Sequence, residues 1–334
     1  MTSFIRYEDS LWPNLMALSY ALSGYFIGLG CILSASVWLN FVGVLLLAHS
    51  MVIAAYLVHE CAHNTILKKN SSNARLGRFL NWLTGACYGD YEDIRHKHFR
   101  HHADRADVVA FDYRQRLAQH PLLTKLVQIA EWLYIPAVEV LMHLLVIVLP
   151  FVMPTRQHRR RRVLIVLAIR VSLFSLLMWY SPRVALLYPL AYMLFLTVMR
   201  FMDVHQHTYE IFETLEKKRG AEAKRFDRNY EQRNTYSNLF STRHPWLNLL
   251  TLNFGYHNAH HLKPNAPWYQ LPALHQALYG NDDSQLLPFS NLLRAYHRYR
   301  VPRTLNADNG DIGQAEARGS SFIGVDGVSF LTAH

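Results

Sequence analysis

The chain has 334 residues, of which 51% are hydrophobic and 17% are charged, and its formal net charge is +10. This composition excludes intrinsic disorder for most of the chain, and three cysteines without a closely spaced pair exclude a disulfide framework. Histidine is over-represented, with 19 histidines against 24 acidic residues. The sequence therefore raises the question of what so many histidines do in a hydrophobic chain.

The longest uncharged stretch lies near the N-terminus. The 50 residues between Asp9 and Glu60 contain no Asp, Glu, Lys or Arg. A membrane-spanning helix needs about 20 apolar residues, so this stretch is long enough for two helices. We predict spans at about 15–35 and 41–58, joined by a tight interfacial turn around Trp38.

Two further apolar stretches follow a run of five arginines between Arg156 and Arg162. They predict spans at 163–180 and 184–202. The apolar segment 126–153 is predicted to be interfacial or re-entrant. With that arrangement the arginines and both polar regions share one side of the membrane, and the positive charge marks it as the cytoplasmic side.

These features predict an all-α integral membrane protein with four transmembrane helices in two hairpins, interfacial helices and a cytoplasmic, histidine-rich helical cap. We predict a single domain over 1–303. The segment 304–334 is expected to be a flexible C-terminal tail, because it has little periodicity. The arginines are interpreted as a topology anchor, so no nucleic-acid partner is expected, and the oligomeric state stays open.

Eleven of the histidines fall in four short clusters. Helical residues three or four positions apart share one face, so histidines at this spacing can bind one metal ion together. Neutral imidazole binds iron, copper, zinc and nickel. Eight imidazoles exceed what one tetrahedral zinc can use, and they suit two metals with open positions. The eight histidines at this spacing are His59, His63, His98, His101, His102, His257, His260 and His261.

Three motifs resemble, in this order, the three histidine boxes of the membrane fatty acid desaturase and hydroxylase family: HECAH from His59, HFRHH from His98 and HNAHH from His257. The single His207 resembles the additional histidine of acyl-lipid desaturases. The continuation of the third box, as far as Tyr269, is similar to that of bacterial desaturases and carotene hydroxylases. The first box has three intervening residues, as in the acyl-lipid and hydroxylase branches.

The resemblance implies a non-haem di-iron oxygenase that uses O2 and two external electrons to desaturate the acyl chain of a lipid or an acyl thioester. It implies two iron ions and no catalytic residue apart from their ligands. Possible partners of the ligands are Glu60, Asp203, Asn253 and Asn258, with Asn253 expected on the helical face of His257. Carried over by position, the ligands are His59, His63, His98, His101, His102, His207, His257, His260 and His261.

The electrons are expected to come from a separate protein, because the chain has no recognisable haem or flavin motif. Ferredoxins are usually acidic, and the basic balance of this chain favours the docking of such a donor. We expect a multi-pass protein of the bacterial cytoplasmic membrane, with its active site facing the cytoplasm.

Three alternatives stay open. A hydroxylase or ketolase of a carotenoid or alkyl chain would carry the same boxes. The first cluster also reads HExxH, which is typical of zinc proteases, although that function leaves six or more clustered histidines without a role. A metal transporter is the third alternative, but transport sites usually lie within spans near the membrane midplane, whereas these clusters follow span ends.

Overall fold

The computed structural model describes residues 4–217, 220–306 and 308–332, and most of them are helical. The α-helices of these residues are α1 (Leu11–Leu33), α2 (Val37–Ala62), α3 (Asn70–Thr84), α4 (Tyr91–Asp104), α5 (Tyr113–Gln119), α6 (Pro121–Trp132), α7 (Ala137–Val152), α8 (Arg160–Tyr180), α9 (Val184–Asp203), α10 (Arg228–Arg233), α11 (His257–Leu262), α12 (Leu271–Tyr279) and α13 (Phe289–Tyr299). The strands are β1 (Asp107–Val109), β2 (Phe212–Thr214), β3 (Gly310–Asp311) and β4 (Ser321–Phe322).

The chain divides into two compact units. The first unit lies within Met1–Asp93 and His143–Val198, and the second lies within Ile94–Met142 and Met199–Ala333. The first unit holds α1, α2, α3, α8 and most of α9. The second unit holds most of α4, the helices α5, α6 and α10 to α13, and both small sheets.

Four helical segments of the described residues are long and apolar enough to cross a membrane: Leu11–Leu33, Val37–Ala62, Pro154–Tyr180 and Val184–Asp203. They confirm the predicted all-α membrane fold with four spans. Most of them extend beyond the predicted limits, because capping and local geometry, rather than hydropathy alone, decide where a helix ends. The second helix therefore runs on through the start of the first histidine box.

Glycines allow α1 and α2 to approach closely within the first unit. A Cβ atom added at Gly28 would lie 2.8 Å from the backbone nitrogen of Leu47, and one at Gly43 would lie 2.7 Å from the Cβ atom of Cys31. Small residues at such contacts are typical of helix pairs in membranes, where close backbone packing replaces the hydrophobic effect as the driving force.

The apolar segment 126–153 does not form one continuous helix. It is divided between α6 and α7, with a break at residues 133–136. Helix α7 has 16 residues and contains Pro150, which makes it shorter than a typical membrane span. Arg160 donates hydrogen bonds to the carbonyl oxygens of Pro150 and Phe151 at 2.9 and 3.2 Å. It thereby satisfies acceptors at the end of α7 that have no partner within that helix. The interfacial or re-entrant placement of this segment stays a prediction.

The second unit is organised around a buried arginine. Arg200 donates two hydrogen bonds to the carboxylate of Asp326, at 2.7 and 2.8 Å, and one to Glu131 at 2.5 Å. All three side chains are buried. Removing one partner of a buried ion pair leaves an uncompensated charge and costs about 3–5 kcal/mol, so this network fixes the end of α9 against the C-terminal residues.

The C-terminal residues differ from the flexible tail expected from their composition. Strands β3 and β4 pair antiparallel, with Gly310 opposite Phe322. The side chain of Phe322 is fully buried in a cluster with Phe201, Met202 and Leu292. Composition could not predict this arrangement, because partners of the segment such as Phe201 and Met202 lie far earlier in the chain.

Candidate metal centre

Helix α4 carries the second histidine box, and its spacing directs the three side chains toward two groups of histidines. His98 and His102 are one turn apart, and their Nε2 atoms lie 3.1 Å from each other. His101 turns instead toward His207, with 3.0 Å between the two Nε2 atoms. The helix therefore contributes to both groups.

The third box lies on the short helix α11 and divides in the same way. The Nε2 atom of His260 lies 3.2 Å from that of His102. The Nε2 atom of His257 lies 2.8 Å from that of His207. His261 belongs with His257, since their ring centroids are 4.5 Å apart.

Backbone pairing brings His207 to these helices. His207 forms an isolated antiparallel bridge with Thr235. The Gln206 carbonyl accepts a hydrogen bond from the Tyr236 backbone nitrogen at 2.8 Å. The Thr235 hydroxyl lies 3.4 Å from His207 Nδ1. These contacts leave the Nε2 side of the ring facing His101 and His257.

Two groups of histidines result within the second unit. In each group the possible ligand atoms all lie within 4.8 Å of one another. Nitrogens bound to one metal at about 2.1 Å stand roughly 3.0 to 3.4 Å apart, and three of the four Nε2 pairs described above fall in this range. The first group, the three-histidine set, is His98, His102 and His260. The second group, the four-histidine set, is His101, His207, His257 and His261.

Hydrogen bonds at the Nδ1 atoms of two imidazole rings leave their Nε2 atoms suited to binding a metal. His101 Nδ1 lies 2.9 Å from the carbonyl oxygen of Ala106, and His261 Nδ1 lies 3.0 Å from Glu231 Oε1. Both acceptors assign the ring proton to Nδ1 and leave the lone pair on Nε2. The Nε2 atom of His261 is buried without a hydrogen-bond partner among the described residues, as expected for a nitrogen that binds a cation.

The electrostatics of this region keep the imidazoles neutral. Burial lowers the pKa of His101 to about 4, with Lys97 and Arg105 adding to the effect. Burial and neighbouring histidines hold the pKa values of His207 and His261 well below the usual range. Metal binding requires the neutral form, so these rings are ready to bind a metal at neutral pH.

Glu231 was not among the residues selected from the sequence. It lies on α10, whose first turn is capped by the Asp227 side chain accepting from the Tyr230 backbone at 2.9 Å. Its Oε2 accepts from Arg105 at 2.5 Å while Oε1 faces His261. Burial raises the pKa of Glu231 to about 7, opposed by the Arg105 guanidinium. No local motif marks Glu231, because its role depends on contacts with distant segments.

The first box lies in the first unit. His59 occupies the last turn of α2 and His63 is its C-cap residue. Their ring centroids are 4.7 Å apart, and both side chains are buried. Glu60 Oε1 lies 3.5 Å from His59 Nδ1, and its Oε2 accepts from the Thr65 hydroxyl at 2.6 Å. Glu60 is therefore placed beside a ring that it can orient.

The two asparagines selected from the sequence have different surroundings. Asn258 donates to the Thr235 carbonyl at 2.7 Å and accepts from Ser237 at 2.5 Å, so it fastens α11 to the segment that follows His207. Asn253 has a positive φ of 58° and lies before the first residue of α11. The expectation that it shares a helical face with His257 is wrong, because the helix begins only at His257.

A small cavity adjoins the histidines of the second unit. It has a volume of about 40 Å³, and its lining includes His98, His101, His207, His257 and the carboxylate-bearing Asp203. A single water molecule needs about 10–15 Å³ measured in this way, so the space suits about three water-sized molecules. Asp203 thus faces the same space as members of both sets.

Comparison with known proteins gives one finding. A family model described as "Fatty acid desaturase" matches residues 36–292. The match covers about three quarters of the chain and includes all nine histidines of the predicted ligand set. No curated protein matches the chain.

Proposed function

Because this chain belongs to the fatty acid desaturase family, we propose that it is a membrane-bound di-iron oxygenase. It uses O2 and two external electrons to desaturate the acyl chain of a lipid or an acyl thioester. The observation that carries the proposal is the pair of histidine sets, each of which gathers buried nitrogens at ligand spacing. A protease with one zinc would need only one such set.

The eight histidines of the three boxes, together with His207, are the nine proposed ligands. The three-histidine set binds one iron and the four-histidine set binds the other. His59 and His63 complete the nine, as the position of the first box in the family implies. Imidazole is a suitable ligand for iron, as it is for copper, zinc and nickel, so the choice of iron rests on the family and not on the histidines alone.

Bound iron supplies the activation of O2 needed to remove hydrogen from an unactivated methylene. The protein's own groups set the geometry. Glu231 accepts a hydrogen bond from Nδ1 of His261 and another from Arg105. The Ala106 carbonyl accepts one from Nδ1 of His101. These contacts fix ring orientation and tautomer, and mutation of such partners typically costs 10–100-fold in metal affinity or activity.

The proposal also includes the membrane location of the protein and its source of electrons. The four apolar helices support an integral membrane location, and we place the protein in a bacterial cytoplasmic membrane with the histidines on the cytoplasmic side. A separate donor such as a ferredoxin supplies the electrons. The net charge of +10 favours an acidic donor, so turnover should decrease as ionic strength rises.

The proposal is tested by expression in a host with a compatible electron donor, followed by comparison of total lipids. The wild type should introduce new double bonds. His101→Ala should remove them, because it deletes one member of the four-histidine set. His96→Ala is the matched control, since His96 is exposed on the same helix. New alcohols or ketones would favour the hydroxylase or ketolase instead. Identical lipid profiles for wild type and His101→Ala would contradict an oxygenase acting on those lipids.

A further inference from the structure

The residues from 323 to 332, called here the strap, pass through the second unit beside the histidines. Gly324 allows this path, because a Cβ atom there would lie 2.1 Å from the carbonyl oxygen of Val204, and its φ of +73° suits glycine. The sequence of the strap itself gives no indication of this course. What holds the strap in place is a series of buried polar contacts.

One end of the strap is anchored by charged groups. Asp326 receives the double hydrogen bond from Arg200, and its backbone carbonyl accepts from the Tyr113 hydroxyl at 3.0 Å. The backbone nitrogen of Gly327 donates to Glu139 Oε1 at 3.1 Å. The residues before position 328 are therefore fixed from three directions.

The other end is anchored by a buried lysine. Lys97 is 1% exposed. Its ammonium group donates to the carbonyl oxygens of Ser329 and Thr332 at 2.5 and 3.0 Å, and it lies 3.2 Å from the Thr332 hydroxyl. Lys97 precedes His98 on α4, so the same helix carries metal-ligand candidates and the strap's second anchor.

Between these anchors the strap reaches the cavity. Val328 and Phe330 belong to its lining, together with His98 and other histidines. The ring of Phe330 lies 5.9 Å from that of His98, centroid to centroid. Leu331 is also buried, at 2% exposed, but does not line the cavity. Alternate residues of the strap thus have different surroundings.

We propose that the strap is a wall of the reaction cavity and that Phe330 is a specificity-determining residue, which limits how far an acyl chain can advance past the histidines. This inference rests on the proposed function. Oxidation occurs at the carbon held nearest the reacting centre, and small displacements there have large effects. A wall fixed by buried charges keeps its position when substrate binds, so the size of the Phe330 side chain selects the carbon that reacts.

The first experiment compares products of the wild type, Phe330→Ala and Leu331→Ala in the same host. Phe330→Ala should change the ratio of double-bond positions, or of chain lengths accepted, by about tenfold, the effect of a 1.4 kcal/mol difference between competing transition states. Leu331→Ala removes an apolar side chain from the same strap and should keep the wild-type ratio, even at lower yield. An unchanged ratio for Phe330→Ala at normal metal content would overturn the assignment.

The second experiment needs no turnover. Full-length protein is purified, loaded with Fe²⁺ without oxygen, and mixed with a chromogenic chelator. Phe330→Ala and Asp326→Asn should each release metal at least about tenfold faster than the wild type, because they open or loosen the wall. Leu331→Ala should release it at a rate close to that of the wild type. Equal rates for all four proteins would overturn the claim that the strap closes the cavity.

The two experiments separate the possible failures. If the wild type oxidises no lipid, the proposed function fails and the selective role of Phe330 fails with it. The release rates then still decide whether the strap is a wall. If the wild type makes unsaturated lipids but neither comparison distinguishes Phe330→Ala from Leu331→Ala, the proposed function stands and this inference fails.

Discussion

Glu231 connects a ligand candidate to a cation through a single carboxylate. One oxygen lies 3.0 Å from His261 Nδ1 and the other lies 2.5 Å from Arg105. All three side chains are buried. The carboxylate therefore orients the imidazole, and Arg105 supplies the compensating charge that makes burial of an acidic group tolerable.

Replacing Glu231 should weaken metal binding in a graded way. Glu231→Ala removes the acceptor for the His261 proton, and we expect a loss of metal affinity of about 10–100-fold. Glu231→Gln keeps an oxygen acceptor and should lose less. Titration of the metal-free protein with Fe²⁺ measures both effects.

Glu213 offers the matched control, because it is also a buried glutamate and accepts a hydrogen bond from an arginine, Arg100, at 2.6 Å. Glu213→Gln should lower stability but leave the affinity near that of the wild type. If Glu231→Ala bound iron as tightly as the wild type, Glu231 would have no part in orienting the ligand.

The three histidines of the second box on helix α4 are divided between the two histidine sets. Residues one turn apart lie on the same side, which pairs His98 with His102. His101 is offset and faces His207. The i, i+3, i+4 pattern predicted that all three histidines share one face of the helix, but their division between two sets depends on partners elsewhere in the chain, His207 for His101 and His260 for His102.

Helix α1 contains two glycines whose surroundings differ completely. A Cβ atom at Gly28 would lie 2.8 Å from the Leu47 backbone, whereas nothing lies within 4 Å of one at Gly30. We expect Gly28→Ala to destabilise the protein by about 1–3 kcal/mol through overpacking. Gly30→Ala should be neutral or stabilising, because alanine favours the helix.

Thermal unfolding of the two glycine variants in the same detergent compares them directly. A large decrease in the midpoint temperature is expected for Gly28→Ala alone. Equal midpoints would mean that α1 and α2 do not pack through Gly28.

Across the whole molecule, the features predicted from sequence are those set by nearby residues. Hydropathy predicts the four spans, and short spacing predicts the histidine motifs. The missed features depend on residues far apart in the chain. Glu231 precedes His261 by 30 positions, and Asp326 follows Arg200 by 126. The C-terminal segment was expected to be loose because composition records the side chains available but not the partners that bury them.

The central claim is that the two histidine sets bind two irons, and the metal content of purified full-length protein tests it most directly. We expect two iron atoms per chain by elemental analysis. His207→Ala should lose metal from the four-histidine set and His260→Ala from the three-histidine set, while His96→Ala should retain both atoms. A single zinc per chain, retained in both ligand variants, would contradict the account.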